Sequence, residues 1–263
     1  MNILKNKQDK PFDNRIHEID FFRGVLMVLV IFDHLMWFIN FYIFKNGNDF
    51  LNWYWTSQLR YVVRQFVLMA FLFTCGVSCH LSRNNKKRGL LLLALTISIM
   101  VVTHIIQLLP MFSSRVVIID FNIIGVIALS ILLYCLCEKL DNKKLLYIIA
   151  ALMIFYCFIN IASRMDDSAI YNPFLSILYC PFNPIKEGYV GDYLPLFPYV
   201  IFLFFGVLFA RFFYKEKKPL IAKKGNWERP VCFLGRHTLY VYIGHEIIFT
   251  AIFILVSVII NRG

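Results

Sequence analysis

An all-α, polytopic transmembrane bundle of about seven helices, with its N-terminus in the cytoplasm, is the fold class this sequence predicts, and three observations predict it. The 263 residues are 59% hydrophobic and 17% aromatic, with a mean hydropathy of +0.65, which is too apolar for a soluble domain. Apolar runs long enough to cross a bilayer recur along the chain. Between them the basic residues fall into short clusters, an arrangement that reports membrane topology.

Residues 1–18 read as a polar, basic cytoplasmic tail, and residues 19–263 as a single transmembrane domain. The first apolar run, 21–44, is too long for a secretory h-region and lacks a small-residue cleavage site, so it should stay uncleaved. A loop over 45–60, rich in Asn, Trp and Tyr, precedes a second helix over about 61–81 and the basic cluster Arg83 to Arg88. The third helix covers about 89–109, where Pro110 closes it. A fourth over about 119–137 turns at 138–144 into a fifth that ends near Ala162. The segment 163–195 is a polar and aromatic loop with four prolines, and its middle, 169–179, is too short to span and reads as re-entrant or interfacial. The sixth helix runs over about 196–213, the most basic loop over 214–230, and the last helix over about 235–260.

The net charge of +11 does not point to nucleic acid, because the basic residues form no continuous stripe. With the N-terminus inside, the cytoplasmic segments hold 18 of the 27 Lys and Arg residues and the outer segments hold six. That asymmetry selects the N-in orientation, and seven helices then leave the C-terminus outside. The expected location is a cell membrane, a bacterial inner or plasma membrane, crossed several times. Six of the seven cysteines fall in or beside apolar segments, so no disulfide framework is implied. Cys75, Cys79 and His80 have a helical spacing that suits a metal, but small buried thiols packing helices are the better reading, and no metal cofactor is expected.

Chemistry concentrates in the first and last helices. Asp20, Arg23, Asp33 and His34 are ionisable residues in or beside an apolar run, and such groups face a bundle interior or a water-filled cavity. At about 100° per residue, Arg23 and His34 lie roughly 20° apart around a helix and roughly 16 Å apart along it, and Asp20 lies about 60° from Arg23. These three therefore mark one polar stripe. His34 is the sharpest catalytic candidate, since an imidazole exchanges a proton near neutral pH without large tuning. Asp33 is its neighbour and a second catalytic candidate, although it points about 100° away on a helix. In the last helix Thr238, Tyr242 and His245 recur on one face, with Glu246 next to it, and Gly235-Arg236 stands at its start. Arg64, one turn into the second helix, needs a partner or water, and Asp49 or Asp120 could supply a carboxylate.

Three motifs carry a resemblance. Arg15-Ile-x-x-Ile-Asp20-x-x-Arg23-Gly24 with His34, Phe71 to Cys79 with Ser82 to Gly89, and Leu234-Gly-Arg-His-Thr-Leu-x-Val-Tyr-Ile-x-His245 resemble bacterial proteins with a catalytic domain like that of heparan-alpha-glucosaminide N-acetyltransferase. Arg-Gly followed by a histidine ten positions after the glycine is also similar to the acyltransferase-3 family of membrane O-acyltransferases. The chain departs from its short relatives at Phe121-Asn-Ile-Ile-Gly125, where they carry a histidine. The resemblance implies an acyl-CoA-dependent transmembrane acyltransferase that uses cytosolic acetyl-CoA to modify a glycan or cell-envelope sugar on the other face. His34 and Asp33 would then be catalytic, Arg23, Asp20 and Arg236 would bind the CoA with the two arginines on its phosphates, and His245, Tyr242, Arg64 and Asp120 would receive the acceptor. The lipid bilayer is the surrounding partner, nucleic acid is not a partner, and a homo-oligomer is an open option.

Two other classes fit the same residues, namely a proton-coupled transporter with His34 and Asp33 in a relay, and a non-catalytic membrane subunit. Either would share the topology, which is directly testable. Single cysteines placed at 215–225 should react only from the cytoplasmic side, and those at 165–190 only from outside. Labelling of both segments from one side would rule out the seven-helix arrangement.

Overall fold

The computed structural model describes residues 16–44, 47–108, 118–164, 173–180, 192–221 and 228–260. Among them the regular elements are helical, apart from one isolated bridge between Ile119 and Asp192. In chain order they are α1 (His17–Phe38), continued by a π-helical turn (Ile39–Ile43), then α2 (Asp49–Thr56), α3 (Gln58–Leu81), α4 (Asn85–Gln107) and α5 (Ile123–Cys137). These are followed by α6 (Asn142–Arg164), the single turn α7 (Pro173–Ser176), α8 (Tyr199–Phe213), α9 (Arg229–Arg236) and α10 (Thr238–Ile260).

Five stretches are long and apolar enough to cross a membrane: His17–Ile43, Gln58–Leu81, Asn85–Gln107, Asn142–Ala162 and Thr238–Val256. Helices α5 and α8 are equally apolar in character but only 15 residues long. At 1.5 Å per residue they reach roughly 22 Å, short of the roughly 30 Å of a hydrocarbon core. Large apolar side chains remain exposed along the candidate spans, as Val28, Phe32, Leu91, Ile154 and Ile247 do. A multi-pass membrane protein presents such flanks to lipid.

Local chemistry sets the boundaries. Glu18 and Asp20 lie in the first turn of α1, where the helix dipole favours a negative charge. Ser57 Oγ accepts from Arg60 N–H at 3.1 Å to start α3, and Asn84 Oδ1 accepts from Lys87 N–H at 3.2 Å to start α4. The basic cluster read as a loop thus supplies the first turn of α4. Asn122 Oδ1 accepts from the amides of Ile124 and Gly125, so α5 begins at Ile123, four residues later than its apolar pattern suggests. Asp141 Oδ1 accepts from Lys144 N–H at 2.7 Å at the head of α6. Part of 163–195 lies outside the described residues. What is described there is one helical turn, with Ile177 and Leu178 carbonyls accepting from the amides of Leu196 and Phe197.

The chain forms two compact units, one of Met1–Asn52 with Tyr214–Gly263 and one of Trp53–Phe213. In the first, α1 packs on α9 and α10, around the fully buried Leu26 and Met27. In the second, α3 packs on α8, α4 on α5, and α6 on α8, around Leu72, Ile131, Leu145, Leu203 and Phe204. Arg211 closes one end of that core: its guanidinium donates to the carbonyls of Leu140 at 2.6 Å and Glu138 at 2.8 Å, which lie just beyond α5. Those carbonyls would otherwise be left without an intrahelical donor.

The α3–α8 contact is made by backbone. A Cβ on Gly76 would sit 1.9 Å from the Leu203 carbonyl oxygen, and one on Gly206 would sit 2.0 Å from that of Phe73. Small residues at a membrane helix crossing permit this approach, and even a methyl group would part the helices. Gly206→Ala should therefore destabilise the protein by about 1–3 kcal/mol. Gly244→Ala, where nothing lies within 4 Å, should leave stability unchanged or slightly raised. Denaturant titrations of the purified variants in one detergent measure the contrast, and equal midpoints for Gly206→Ala and the parent would refute the tight crossing.

Candidate functional site

The first unit carries the residues that sequence reasoning singled out, and it carries them on three helices. Helices α1 and α9 touch backbone to backbone: a Cβ on Gly24 would meet the Val231 carbonyl oxygen at 1.9 Å, and one on Gly235 would meet that of Asp20 at 1.7 Å. The Arg23-Gly24 and Gly235-Arg236 pairs are thus two halves of one crossing. Beside it, Asp20 is buried at 8% exposure and its Oδ2 lies 3.5 Å from Arg236 Nε. Arg236 itself is exposed and Arg23 is half-buried on α1. A buried carboxylate requires a partner of this kind, since an unpaired one costs several kcal/mol.

The entry to α1 is fastened to the segment that follows Tyr214. Glu18 Oε1 accepts from Leu220 N–H at 2.6 Å and from the Tyr214 hydroxyl at 3.3 Å. Burial, reinforced by that carboxylate, pushes the Tyr214 phenol up to about 12, so it stays a donor at any physiological pH. The chain then enters α9 at Arg229-Pro230, with proline in the first turn where its missing N–H is harmless. Helices α9 and α10 are separate, although the apolar pattern reads as one helix from Gly235. His237 breaks the helix with φ −108° and ψ 25°, and the Thr238 hydroxyl donates to the Gly235 carbonyl at 2.6 Å, satisfying a group the break exposes.

Eleven residues beyond Arg23, His34 meets α10. Its Nδ1 lies 2.8 Å from His245 Nε2 and in direct contact with Glu246 Oε1, while His245 Nε2 and Glu246 Oε1 are 3.4 Å apart. The two imidazoles stack at 5.0 Å, and the Tyr242 ring lies 5.7 Å from His245 and 6.4 Å from His34. Phe249 presses edge-on to His245 at 5.7 Å, and beyond it Phe38, Phe253 and Tyr42 form an aromatic cluster. The site is therefore polar on one side and apolar on the other.

The tautomers follow from the neighbours. His245 Nδ1 lies 3.0 Å from the Val241 carbonyl one turn earlier, an oxygen that can only accept, so this nitrogen carries the proton. In neutral His245, Nε2 is then a lone pair. An ionised Glu246 likewise only accepts. His34 Nδ1 must supply the hydrogen to both, which leaves the lone pair of neutral His34 on Nε2. A histidine oriented by its other nitrogen in this way is arranged for proton transfer.

Of the residues named from sequence, His34, His245 and Tyr242 come together, and Asp20 joins Arg236. Asp33 is half-buried on α1 next to His34. Arg64 and Asp120 belong to the second unit. There Asp120, 5% exposed, faces His104 Nε2 at 3.5 Å, and Arg64 is half-buried on α3 beside Gln65, which accepts from the Tyr199 hydroxyl at 2.6 Å. One residue of the site stands outside the sequence assignments: Glu246, which the sequence marks only as a neighbour of His245. The signal for Glu246 was available, since a carboxylate in a membrane helix needs a reason to be there.

The family model for heparan-alpha-glucosaminide N-acetyltransferase, catalytic, matches residues 15–247. The chain belongs to that family. No curated protein and no solved structure matches it. The matched span begins at the arginine that opens the first motif and runs through His34, Arg236, His245 and Glu246, so it contains the polar side of the site just described. Membership in the family makes the chain a membrane protein of the N-acetyltransferase type.

Proposed function

We propose that this protein moves an acetyl group from acetyl-CoA on the cytoplasmic side to an amine or hydroxyl of a glycan on the opposite face. The observation that carries this reading is the contact of His34 Nδ1 with His245 Nε2 and Glu246 Oε1, because it presents His34 Nε2 as a base inside a membrane helix. Family membership supplies the reaction class.

The residues of the α1–α9 crossing fit a phosphorylated donor. Arg23 and Arg236 flank the glycines in contact, and Asp20 orients Arg236 through its Nε. A guanidinium can meet phosphate oxygens with parallel hydrogen bonds. The thioester of acetyl-CoA supplies the activated carbonyl. Helix α1 runs unbroken from His17 to Phe38, so Arg23 and His34 are separated by roughly 16 Å of helix, a length of the order of an extended pantetheine arm.

In the reaction His34 Nε2 takes the proton of the acceptor as its nitrogen or oxygen attacks the thioester carbonyl. The carbon–sulfur bond breaks, and the same proton passes from His34 to the departing thiolate. His34 carries a positive charge between the two transfers, and the Glu246 carboxylate in contact with Nδ1 offsets it. His245 holds the ring plane through stacking and through the Nδ1–Nε2 contact. Tyr242, beside both rings, is placed to orient the acceptor.

A positioned general base contributes about a hundred- to ten-thousand-fold, so His34→Ala should lose at least about a hundredfold in acetyl transfer while still binding acetyl-CoA. Steady-state turnover with acetyl-CoA and a panel of amino sugars, alongside CoA binding, tests this. Full activity in a folded His34→Ala protein would refute the role and favour the transporter or subunit reading.

The donor site has its own test. Arg236→Ala should weaken CoA binding roughly tenfold, the usual worth of one charged hydrogen-bonding partner, with little change in acceptor KM. Unchanged CoA affinity in both Arg23→Ala and Arg236→Ala would remove the arginines from the donor site.

A further inference from the structure

We infer that His34, His245 and Glu246 form a binding site for a divalent transition ion of the zinc type, and that this ion switches the catalytic base off. The three side chains each offer one ligand atom, His34 Nδ1, His245 Nε2 and Glu246 Oε1, and these atoms lie within 4.8 Å of one another. Two imidazoles and one carboxylate are a donor set that zinc accepts with three protein ligands and an open fourth position for water.

The geometry fits after a small adjustment. Around a tetrahedral zinc with bonds of about 2.0–2.2 Å, neighbouring ligand atoms stand about 3.4 Å apart. His245 Nε2 and Glu246 Oε1 are already at 3.4 Å, whereas His34 Nδ1 is closer to both, at 2.8 Å from His245 and in contact with Glu246. His34 must therefore draw back by about an ångström. It has room to do so: the side chains of His34 and Glu246 are 32% and 40% exposed, while His245 is 6% exposed and fixed.

What fixes His245 is the second reason to expect a metal. Its Nδ1–H donates to the Val241 carbonyl at 3.0 Å, which is the outer hydrogen bond that metal-ligating histidines make. That bond presents Nε2 as a lone pair aimed at the other two ligand atoms. The triad thus has a rigid member, two adjustable members and a set tautomer.

The consequence for His34 is chemical. As a base it keeps its proton on Nδ1 and its lone pair on Nε2. An ion on Nδ1 requires the lone pair there, so the proton of neutral His34 moves to Nε2, no proton is gained or lost, and the atom that faced the acceptor can no longer accept. Inhibition therefore appears as lost turnover with acetyl-CoA affinity unchanged. This inhibitory part rests on the reading of His34 as the general base; the metal site itself does not.

The test uses the full-length protein in detergent, stripped with chelator, and zinc chloride or cobalt chloride as probe. Calorimetry should find one zinc per chain, and cobalt should give the visible bands of a tetrahedral ion. X-ray absorption at the zinc edge should show nitrogen and oxygen neighbours at about 2.0–2.1 Å, with imidazole scattering. His245→Ala and Glu246→Gln, each checked for folding by its denaturant midpoint, should lower zinc affinity at least about tenfold. Sulfur neighbours at about 2.3 Å would place the ion at cysteines such as Cys75 and Cys79 and overturn the proposal. Equal affinity in both variants and the parent would overturn it as well. If zinc binds as described and chelator restores acetyl transfer, both parts stand. If zinc binds but transfer in its absence does not depend on His34, the metal site stands and the general-base reading fails.

Discussion

Contact between two backbones at Gly24 and Gly235 is the constraint on which the first unit depends. With no side chain at either position, α1 and α9 meet at carbonyl distance, and the residues on either side of each glycine are delivered to one place. The arginine before Gly24 and the arginine after Gly235 become neighbours of the same crossing, and the Asp20 carboxylate reaches Arg236. This gives the Arg-Gly and Gly-Arg pairs a physical meaning beyond their value as a signature. The glycine sets the distance and the arginine carries the charge. A substitution at either glycine would act on the arginines without touching them.

The second consequence runs along α1 and α10. Because α9 ends at Arg236 and α10 starts at Thr238, the crossing and the histidine contact belong to separate helices, and the polar face of α10 meets α1 at His34. A single continuous helix from Gly235 would have to carry both contacts on one straight axis. The break at His237, with Thr238 closing the Gly235 carbonyl, separates the two tasks. Charge pairing belongs to α1 with α9, and imidazole pairing to α1 with α10. The apolar layer of Phe38, Phe249 and Phe253 then lies one to two turns beyond the histidines, where it supplies the low dielectric that strengthens every polar contact next to it.

Much of this was legible in the sequence, and the rest was hidden for identifiable reasons. The all-α membrane class and the polar stripe on the first helix follow from composition and a count of degrees per residue. The partnership between that stripe and the last helix follows only from the motif resemblance, because no periodicity links residues 211 positions apart. Helix starts were blurred wherever a polar side chain caps an apolar run, as Asn122 does by accepting two amides and cutting α5 back to Ile123. The length of α5 and α8 separates them from the five longer spans, a distinction that an apolar run alone does not draw. The turn at His237 was invisible because a backbone of φ −108° leaves no mark in residue type.

Glu246 shows where sequence logic stopped short by one step. Asp33 is the sequence neighbour of His34, yet the carboxylate that the structure sets against His34 Nδ1 comes from another helix. Adjacent residues on one helix diverge by about 100°, so a histidine and the acid beside it seldom share a proton directly. A residue on a facing helix suffers no such divergence. By that argument the acid to seek for an intramembrane histidine is one on a neighbouring helix, and the pair His245-Glu246 satisfies it for His34 while each of its members keeps its own role. His245, pinned to Val241, fixes where the His34 lone pair lies; Glu246 is the more exposed of the two partners. On the proposed general-base reading of His34, a rigid partner and a compliant one let it hold one tautomer at rest and tolerate a positive charge during the reaction.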